Sequence, residues 1–211
     1  LTAEERGDLQ EVDRPRDGEA RPGEFVENMR VAVELVAAVD QLPGRMMLGP
    51  DVPFVRMIEF FDYNCGWCKK GFPEVMSLLD QDKNLRFVLK EFPIFGGDSD
   101  YAAMAAIAAK KQGKYWELHK ALFSHEGKVT RQVVDEVAAK QGIDVKKLKE
   151  DMKDPAVAQE IAANHALAQS LAINGTPGFI VDDKVSPGYL PAADLAALIG
   201  DVRKNGGCKL C

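Results

Sequence analysis

Two apolar runs in the first half of the chain have the character of β-strands. The first covers residues 54–61 and is dense in β-branched and aromatic side chains, and the second covers Asn84–Glu91. The residues between them have a helical period, with an apolar face made of Phe72, Val75, Met76 and Leu79. Because a helix that crosses between two such strands forms a βαβ unit, we predict that the strands are parallel.

A long helical block follows these strands. Residues 98–173 contain no strand pattern. Alanine-rich helices are predicted near 99–112, 114–125, 130–141, 144–152 and 155–172. Strand patterns return at Phe179–Val181 and Lys184–Val185, and a last helix is predicted over Pro191–Lys204. A helical block that divides two groups of strands indicates an α/β fold with an inserted helical subdomain.

The chain before residue 43 has a different pattern. Residues 1–23 are rich in charge and interrupted by proline and glycine, whereas Glu24–Leu42 is predicted to form a helix. The apolar positions of this helix follow a 4-3-4-3 spacing: Phe25, Met29, Ala32, Val36 and Val39. This is the spacing of a short coiled coil. We therefore expect either that the helix associates with copies of itself or that it folds back onto its own domain.

Composition and charge exclude several classes of protein. The chain has 211 residues, of which 46% are apolar and 28% are charged, which is ordinary for a globular protein. A net charge of −6 without a basic stripe predicts no nucleic acid partner. The longest apolar run, Ala102–Ala109, is too short to cross a bilayer. The start at Leu1 shows no signal peptide pattern, which suits a mature protein whose signal peptide was removed, or a trimmed chain.

The sequence Cys65-Gly66-Trp67-Cys68 is the clearest chemical motif. It lies between a predicted strand and helix, so Cys65 is expected at the helix N-terminus, where free N–H groups and the helix dipole stabilise a thiolate. This pattern is typical of a redox pair whose first sulfur is acidic, exposed and nucleophilic. A metal-only site and an inert structural disulfide are the alternatives, but no second cysteine pair lies at the spacing of a zinc site.

Two separated segments resemble one protein family. The first is Ile58–Cys68, with the sequence Ile-Glu-Phe-Phe-Asp-Tyr-Asn-Cys-Gly-Trp-Cys, and the second is Gly175–Phe179, with the sequence Gly-Thr-Pro-Gly-Phe. Together they look like the DsbA-like thioredoxin superfamily. Within it the chain most resembles the bacterial suppressor of copper sensitivity protein C (ScsC) group, over about residues 52–200.

The resemblance implies a thioredoxin fold with an inserted all-helical subdomain, preceded by an N-terminal helical oligomerisation segment. The predicted parts are the N-terminal segment 1–42, a linker 43–53, the thioredoxin fold in 54–98 and 174–211, and the insertion in 99–173. The family further implies that Thr176-Pro177 is a cis-proline loop packed beside the cysteines. The backbone of such a loop would pair with an extended substrate, and Gly66 and Trp67 are further candidates for substrate contact.

The resemblance also implies roles for three residues in the reaction. Cys65 would form the mixed disulfide with the substrate and Cys68 would resolve it. Glu59 lies in the first strand between apolar neighbours, so its side chain is expected to be at least partly buried, and the family role would be to assist deprotonation of Cys68. An ion pair between Glu59 and Lys90 is the alternative.

The implied function is that of a periplasmic thiol–disulfide oxidoreductase. Together with the coiled-coil spacing, the ScsC resemblance favours a disulfide isomerase or reductase linked to copper tolerance, with no cofactor required. The expected partners are misfolded or oxidised periplasmic proteins, a membrane thiol–disulfide reductase and further copies of the chain in a homotrimer. One alternative is a monomeric DsbA-like dithiol oxidase. The other is a copper-binding protein in which Cys65 and Cys68 hold Cu(I).

The remaining cysteines and the histidines carry weaker signals. Cys208-Lys209-Leu210-Cys211 is interpreted as a local disulfide or a tail, and the alternative is a pair that relays electrons or shares Cu(I). His119, His125 and His165 show no ligand spacing with any cysteine, so they are interpreted as surface or helix-packing residues.

Overall fold

The computed structural model describes residues 47–48 and 55–206, and only the backbone of residues 47–48. The predicted helix Glu24–Leu42 and the Cys208–Cys211 pair lie outside the described residues. The oligomerisation segment and the role of the C-terminal cysteines therefore stay predictions.

Five strands form one mixed sheet. They are β1 (Met47–Leu48), β2 (Val55–Phe61), β3 (Leu85–Glu91), β4 (Gly178–Val181) and β5 (Lys184–Pro187). Their order across the sheet is β1-β3-β2-β4-β5. β2 and β3 are parallel, as the βαβ pattern predicted, and β4 runs antiparallel to β2. This register places Leu89 and Phe179 on the two sides of Glu59.

Seven α-helices accompany the sheet in the described residues. They are α1 (Gly66–Gln81), α2 (Gly97–Ala109), α3 (Tyr115–Phe123), α4 (Arg131–Lys140), α5 (Val145–Asp151), α6 (Pro155–Ser170) and α7 (Ala192–Lys204). Two of them begin at aspartate caps, since Asp144 accepts from the Lys147 N–H and Asp154 from the Ala156 N–H. Helices α2 to α6 lie between β3 and β4 in the chain and form the predicted insertion.

The sheet is covered on both faces, and β2 lies near its centre. Side chains alternate along β2, so Met57 and Phe61 join the core cluster that includes α1 and α7 residues, whereas Ile58 and Phe60 join a second cluster with the C-terminal part of α6. Every β2 residue except Arg56 is buried. A strand buried on both faces appears in the sequence as a mainly apolar run, and β2 has this pattern apart from Arg56 and Glu59.

The insertion is built around α2. Its alanine run is buried, because small side chains let the neighbouring helices approach closely: Ala102, Ala103, Ala105, Ala106, Ala108 and Ala109. The predicted helix 99–112 is observed as α2 followed by a 3-10 turn at Lys110–Gln112. Gly113 follows with a φ of +66°, a left-handed conformation that favours glycine and ends the helix.

Two predicted boundaries need correction. Met47–Leu48 lies in the predicted linker 43–53, yet it pairs as an edge strand with Val88 and Phe87 of β3. Two residues held by backbone pairing are too few to show an alternating pattern in the sequence. The strand expected at Lys184–Val185 extends to Pro187, because it pairs along the whole of β4.

Candidate active site

Cys65 lies at the junction of the sheet and α1. β2 ends at Phe61, a short turn follows, and Cys65 is the N-cap residue of α1. The turn is closed by the Cys65 N–H, which donates to the Asp62 carbonyl at 3.0 Å. The Cys65 sulfur accepts from the N–H of Cys68 at 3.3 Å. The sequence prediction of a cysteine at a helix N-terminus is therefore confirmed.

The environment of Cys65 favours its thiolate. Its pKa is lowered to about 6, chiefly by a hydrogen bond from the Cys68 side chain, with further contributions from the Thr176 side chain and from the backbone N–H groups of Cys68 and Trp67. Desolvation opposes this shift without cancelling it. The sequence prediction of an exposed sulfur needs correction, because Cys65 is only 3% exposed.

Cys68 is the opposite kind of thiol. It is fully buried in the first turn of α1, and burial raises the pKa of its thiol well above the ordinary range. The hydrogen bond to Cys65 and the nearby charge of Glu59 act in the same direction. Both cysteines are free thiols. The pair is therefore asymmetric, with one sulfur that ionises easily and one that keeps its proton.

Glu59 is buried in β2 on the side of the sheet that faces α1. Its side chain is 5% exposed, and burial raises its pKa to about 8, with a further contribution from the charge of Cys65. The alternative ion pair with Lys90 is wrong, because Lys90 is the register partner of Phe60 and Glu59 is that of Leu89. Neighbouring positions along paired strands face opposite sides of the sheet.

The Thr176–Pro177 loop lies against Cys65. The peptide bond between these residues is cis, as the family resemblance implied. In its thiol form, Cys65 donates to the Thr176 carbonyl at 3.2 Å. The Thr176 hydroxyl oxygen is buried without a hydrogen-bond partner, which leaves it available to donate to the Cys65 thiolate. The fold thus brings together two motifs whose residues Cys65 and Thr176 are 111 positions apart in the sequence.

Trp67 is exposed beside the dithiol and is supported by residues that the sequence did not identify. Its ring centroid lies 5.1 Å from that of Tyr189, and the Lys70 ammonium lies 4.8 Å and 4.9 Å from the two centroids. The Tyr189 hydroxyl donates to a Glu74 oxygen at 2.8 Å. Nothing in the loop around Tyr189 predicts this contact, since the partners come from distant parts of the chain.

A groove beside the active-site turn is lined by residues of the turn and of the insertion. Its lining residues include Asn64, Gly66, Lys69, Phe95, Phe123 and His125. The Lys69 ammonium donates to the His125 and Gly127 carbonyls at 2.9 Å and 2.6 Å, and so fixes the loop after α3 against α1. Gly66 lies at the rim of the groove, where a side chain would meet no neighbour within 4 Å.

A buried polar cluster was missed by the sequence analysis. Glu91 lies at the end of β3 and accepts hydrogen bonds from the Tyr63 and Tyr115 hydroxyls, both at 2.9 Å. Burial raises the pKa of Glu91. His119 is hydrogen-bonded to Tyr63, and burial lowers its pKa to about 3. The interpretation of His119 as a packing residue is confirmed, because it is a neutral ring in an aromatic cluster.

The two cysteines are also the candidate metal ligands. In the part of the chain that the structure describes, no group of three or more His, Cys, Asp and Glu side chains could hold a metal ion. Cys65 and Cys68 offer two soft sulfur donors, which suit Cu(I). Thiols must lose their protons to bind a metal, and the raised pKa of Cys68 opposes that loss.

Comparison with known proteins identifies the family. The model of the DSBA-like thioredoxin domain matches residues 56–200. The chain belongs to this family. The match confirms the resemblance to the DsbA-like thioredoxin superfamily and the fold, a thioredoxin-like sheet with a helical insertion.

The similar proteins include solved structures and longer curated proteins. A thioredoxin-like oxidoreductase from Silicibacter pomeroyi is 41% identical, with a TM-score of 0.75, covering 79% of this chain and 96% of that one. The catalytic domain of Proteus mirabilis ScsC is 20% identical, with a TM-score of 0.70, covering 82% and 97%, which shows a shared fold. The Na(+)/H(+) antiporter NhaA 1 of Salinispora arenicola is 29% identical over 170 residues, 79% of this chain and 26% of that protein.

The chain spans about a quarter of the length of the curated antiporters that it matches. Among its described helices, none is long and apolar enough to cross a membrane.

Proposed function

We propose that this chain catalyses thiol–disulfide exchange on polypeptide substrates, with Cys65 as the attacking sulfur and Cys68 as the resolving sulfur. The observation that carries the proposal is the asymmetry of the dithiol. The pKa of Cys65 is lowered to about 6, whereas burial raises that of Cys68. At neutral pH one sulfur is therefore a thiolate and the other holds a proton, which is the state in which a dithiol attacks a disulfide.

The reaction begins with the reduced enzyme. The Cys65 thiolate attacks one sulfur of a substrate disulfide, the substrate S–S bond breaks, and the second substrate sulfur leaves as a thiolate. A substrate thiolate can then attack the mixed disulfide, which yields a rearranged substrate disulfide and restores the Cys65 thiolate without net oxidation. Alternatively Cys68 attacks the Cys65 sulfur, which releases reduced substrate and leaves the enzyme with a Cys65–Cys68 disulfide.

The second route requires Cys68 to lose its proton. Glu59 is the candidate acceptor, because its carboxylate is buried near the cysteines and interacts electrostatically with both. Once ionised, a carboxyl with a pKa of about 8 accepts a proton from a thiol far more readily than an ordinary exposed carboxylate does.

Exposed apolar side chains around the dithiol support unfolded or misfolded polypeptides as the substrate class. Trp67, Ile94 and Phe95 are the exposed large hydrophobic residues of the described chain. Trp67 lies inside the motif, and the backbone N–H groups of Ile94 and Phe95 are bonded to Asp62, three residues before Cys65. Apolar surface grouped at one site is typical of a surface that binds proteins.

We further infer that the enzyme works as an isomerase or reductase in a homotrimer, with its site kept reduced by a membrane thiol–disulfide reductase in the periplasm. The coiled-coil spacing in Glu24–Leu42 and the resemblance to the ScsC group support this inference, and with it a link to copper tolerance. Several reduced sites in one assembly can release and re-attack a substrate until its disulfides are rearranged. A monomeric dithiol oxidase is the alternative.

Recovery of activity from scrambled ribonuclease tests the proposal. The full chain is compared with a seam variant, Met29→Glu combined with Val36→Glu, and with Cys65→Ser, while sedimentation velocity reports the assembly. We expect the full chain to isomerise as a trimer, the seam variant to be a monomer that only oxidises, and Cys65→Ser to be inactive. A full chain that sediments as a monomer at micromolar concentration would rule out the trimer.

Equal behaviour of the full chain and the seam variant would favour the monomeric oxidase. If neither recovers ribonuclease activity, the second candidate becomes the better one, a protein whose Cys65 and Cys68 hold Cu(I) as cargo. Competition with a chromophoric Cu(I) chelator then measures that affinity, with Cys65→Ser and Cys68→Ser as controls.

A further inference from the structure

The turn that carries Cys65 is bonded to the helical insertion through Asn64. The Asn64 side-chain N–H₂ donates to the Ser99 hydroxyl and to the Val129 carbonyl, both at 3.1 Å. In return, the Val129 N–H donates to the Asn64 side-chain oxygen at 2.8 Å. Asn64 thus uses both its donors and its acceptor on partners 35 and 65 residues away in the chain.

Asp62 ties the same turn to the start of the insertion. It is 2% exposed. One carboxylate oxygen accepts from the Asn64 N–H and the Ser99 hydroxyl, both at 2.7 Å. The other accepts from the Ile94 and Phe95 N–H groups at 2.7 Å and 3.2 Å. Four donors converge on this carboxylate, which is what a buried charged group requires.

These contacts surround a sulfur whose position is critical. Cys65 follows Asn64 directly, and its own N–H donates to the Asp62 carbonyl. Its sulfur lies 3.3 Å from the Cys68 nitrogen, whose N–H stabilises the thiolate, and 3.2 Å from the Thr176 carbonyl, to which only the thiol form donates. Hydrogen bonds weaken steeply as their length and angle depart from the optimum. A small movement of the turn would therefore remove stabilisation from the thiolate.

We propose that Asp62 and Asn64 are positioning residues through which the helical insertion holds the Cys65 sulfur between the N-terminus of α1 and the Thr176–Pro177 loop. The inference rests on the proposed role of Cys65 as the nucleophile. It assigns the insertion a part in the chemistry: its Ser99 hydroxyl and Val129 backbone set the position of the turn from a separate structural unit.

The test uses the full chain, reduced, with three single variants. Asn64→Ala removes the three bonds between its own side chain and the insertion and leaves the Asp62–Ser99 bond, whereas Ser99→Ala removes only the hydroxyl that Asp62 and Asn64 share. Asn164→Ala is the matched control: Asn164 is a buried asparagine of α6 whose side chain donates to the Glu91 carbonyl at 3.0 Å and not to the active-site turn itself. Denaturant unfolding measures the stability of each variant.

The readout is the rate at which iodoacetamide alkylates Cys65 between pH 4 and 9, by mass spectrometry of the peptide that contains Cys65. Fragment ions of this peptide distinguish Cys65 from Cys68, and Cys208 and Cys211 lie in other peptides. Asn64→Ala should lower the rate at pH 6 by about threefold to tenfold and move the profile to higher pH, because less of the sulfur is ionised. Ser99→Ala should act in the same direction with a smaller effect.

Asn164→Ala should lose stability without moving the profile. The proposal is overturned if Asn64→Ala keeps the wild-type profile, or if all three variants move it in proportion to their loss of stability. If Asn64→Ala does not fold, Ser99→Ala decides, and an unchanged profile there overturns the proposal. Alkylation needs no protein substrate, so the two tests are independent. A wild type that is inactive in the ribonuclease assay would refute the proposed function, and the alkylation profiles would still show whether Asn64 positions the Cys65 sulfur.

Discussion

The backbone N–H of Cys68 lies 3.3 Å from the sulfur of Cys65, and the Cys68 side chain makes the largest contribution to the low pKa of Cys65. The proposed resolving residue, Cys68, therefore also lowers the pKa of the proposed nucleophile, Cys65. Removal of its side chain should raise the pKa of Cys65 even though the backbone donor remains.

We predict that Cys68→Ala slows alkylation of Cys65 at pH 6 by about tenfold, because the hydrogen bond from the Cys68 side chain is lost. Cys68→Ser keeps a hydroxyl donor and should slow it less. The mass-spectrometric alkylation profile measures both. A Cys68→Ala variant with the wild-type profile would show that the Cys68 side chain does not contribute to the low pKa of Cys65.

Glu59→Gln should slow the resolution of a mixed disulfide, because the buried proton acceptor is replaced by an amide. In the wild type, the rate of resolution should rise as the pH approaches about 8, where Glu59 ionises. In the variant this rise should be absent. Stopped-flow release of a thiol from a preformed mixed disulfide measures the rate, and equal rates would remove Glu59 from the mechanism.

Glu91→Gln is the matched control for Glu59→Gln, and both should alter the pH dependence of stability. The folded protein keeps the proton on Glu59 up to about pH 8, whereas the unfolded chain loses it near the ordinary value of 4.5. Stability therefore falls as the pH rises from 4.5 to 8, and burial of Glu91 acts in the same direction.

Each glutamine variant should gain stability relative to the wild type at pH 8, on the order of a few kcal/mol, and gain little at pH 4. Urea unfolding at the two pH values measures this. Only Glu59→Gln should also slow resolution, since Glu91 bonds to Tyr63 and Tyr115. Slow resolution in both variants would instead indicate a shared structural effect.

Gly178→Ala should destabilise the fold by about 1–3 kcal/mol, because the added carbon would lie 2.5 Å from the Ile173 side chain. Gly175→Ala, in the same loop, meets no atom within 4 Å and should be close to neutral. Thermal unfolding compares the two. Ile173→Ala should partly offset the cost of Gly178→Ala, and additive losses in the double variant would argue against this contact as the cause.

Tyr189→Ala should weaken the binding of polypeptide substrates by about threefold to tenfold, because it removes the aromatic support of Trp67, a contact of about 0.5–1.5 kcal/mol. Tyr189→Phe keeps the ring and should bind almost normally, although it loses the bond to Glu74. The KM for a disulfide-containing peptide measures this, with a small organic disulfide as control. A loss with both substrates would point to the dithiol itself.

Short stretches of sequence were enough to predict the helices, most of the strands and the position of the Cys65–Cys68 pair. The βαβ unit, the insertion helices and the place of Cys65 at a helix N-terminus were all predicted from the sequence. Each of these features depends on a signal that a stretch of about ten residues contains, either the spacing of apolar side chains or the spacing of Cys65 and Cys68. Burial of Glu59 was expected from its apolar neighbours for the same reason, and the edge strand Met47–Leu48 was missed because two residues hold no period.

The sequence predicted the cis-proline loop only in part. Its position came from a family resemblance, since sequence alone does not choose the isomer of an X–Pro bond. Only the structure showed the Thr176 carbonyl 3.2 Å from Cys65, and with it the nearly complete burial of a sulfur that was expected to be exposed.

By itself, then, the sequence determined the strands, the helices and the place of the Cys65–Cys68 pair at a strand-to-helix junction, because those depend on local side-chain pattern. The tertiary structure decided the environment of the dithiol: the Glu91 cluster, the support of Trp67 by Tyr189, and the bonds of Asp62 and Asn64 to the insertion. Each of these contacts joins residues that are far apart in the chain and share no helical or strand repeat, such as Asn64 and Val129, which are 65 positions apart. Hydrogen bonds and burial depend on distance in space, and distance along the chain does not determine it.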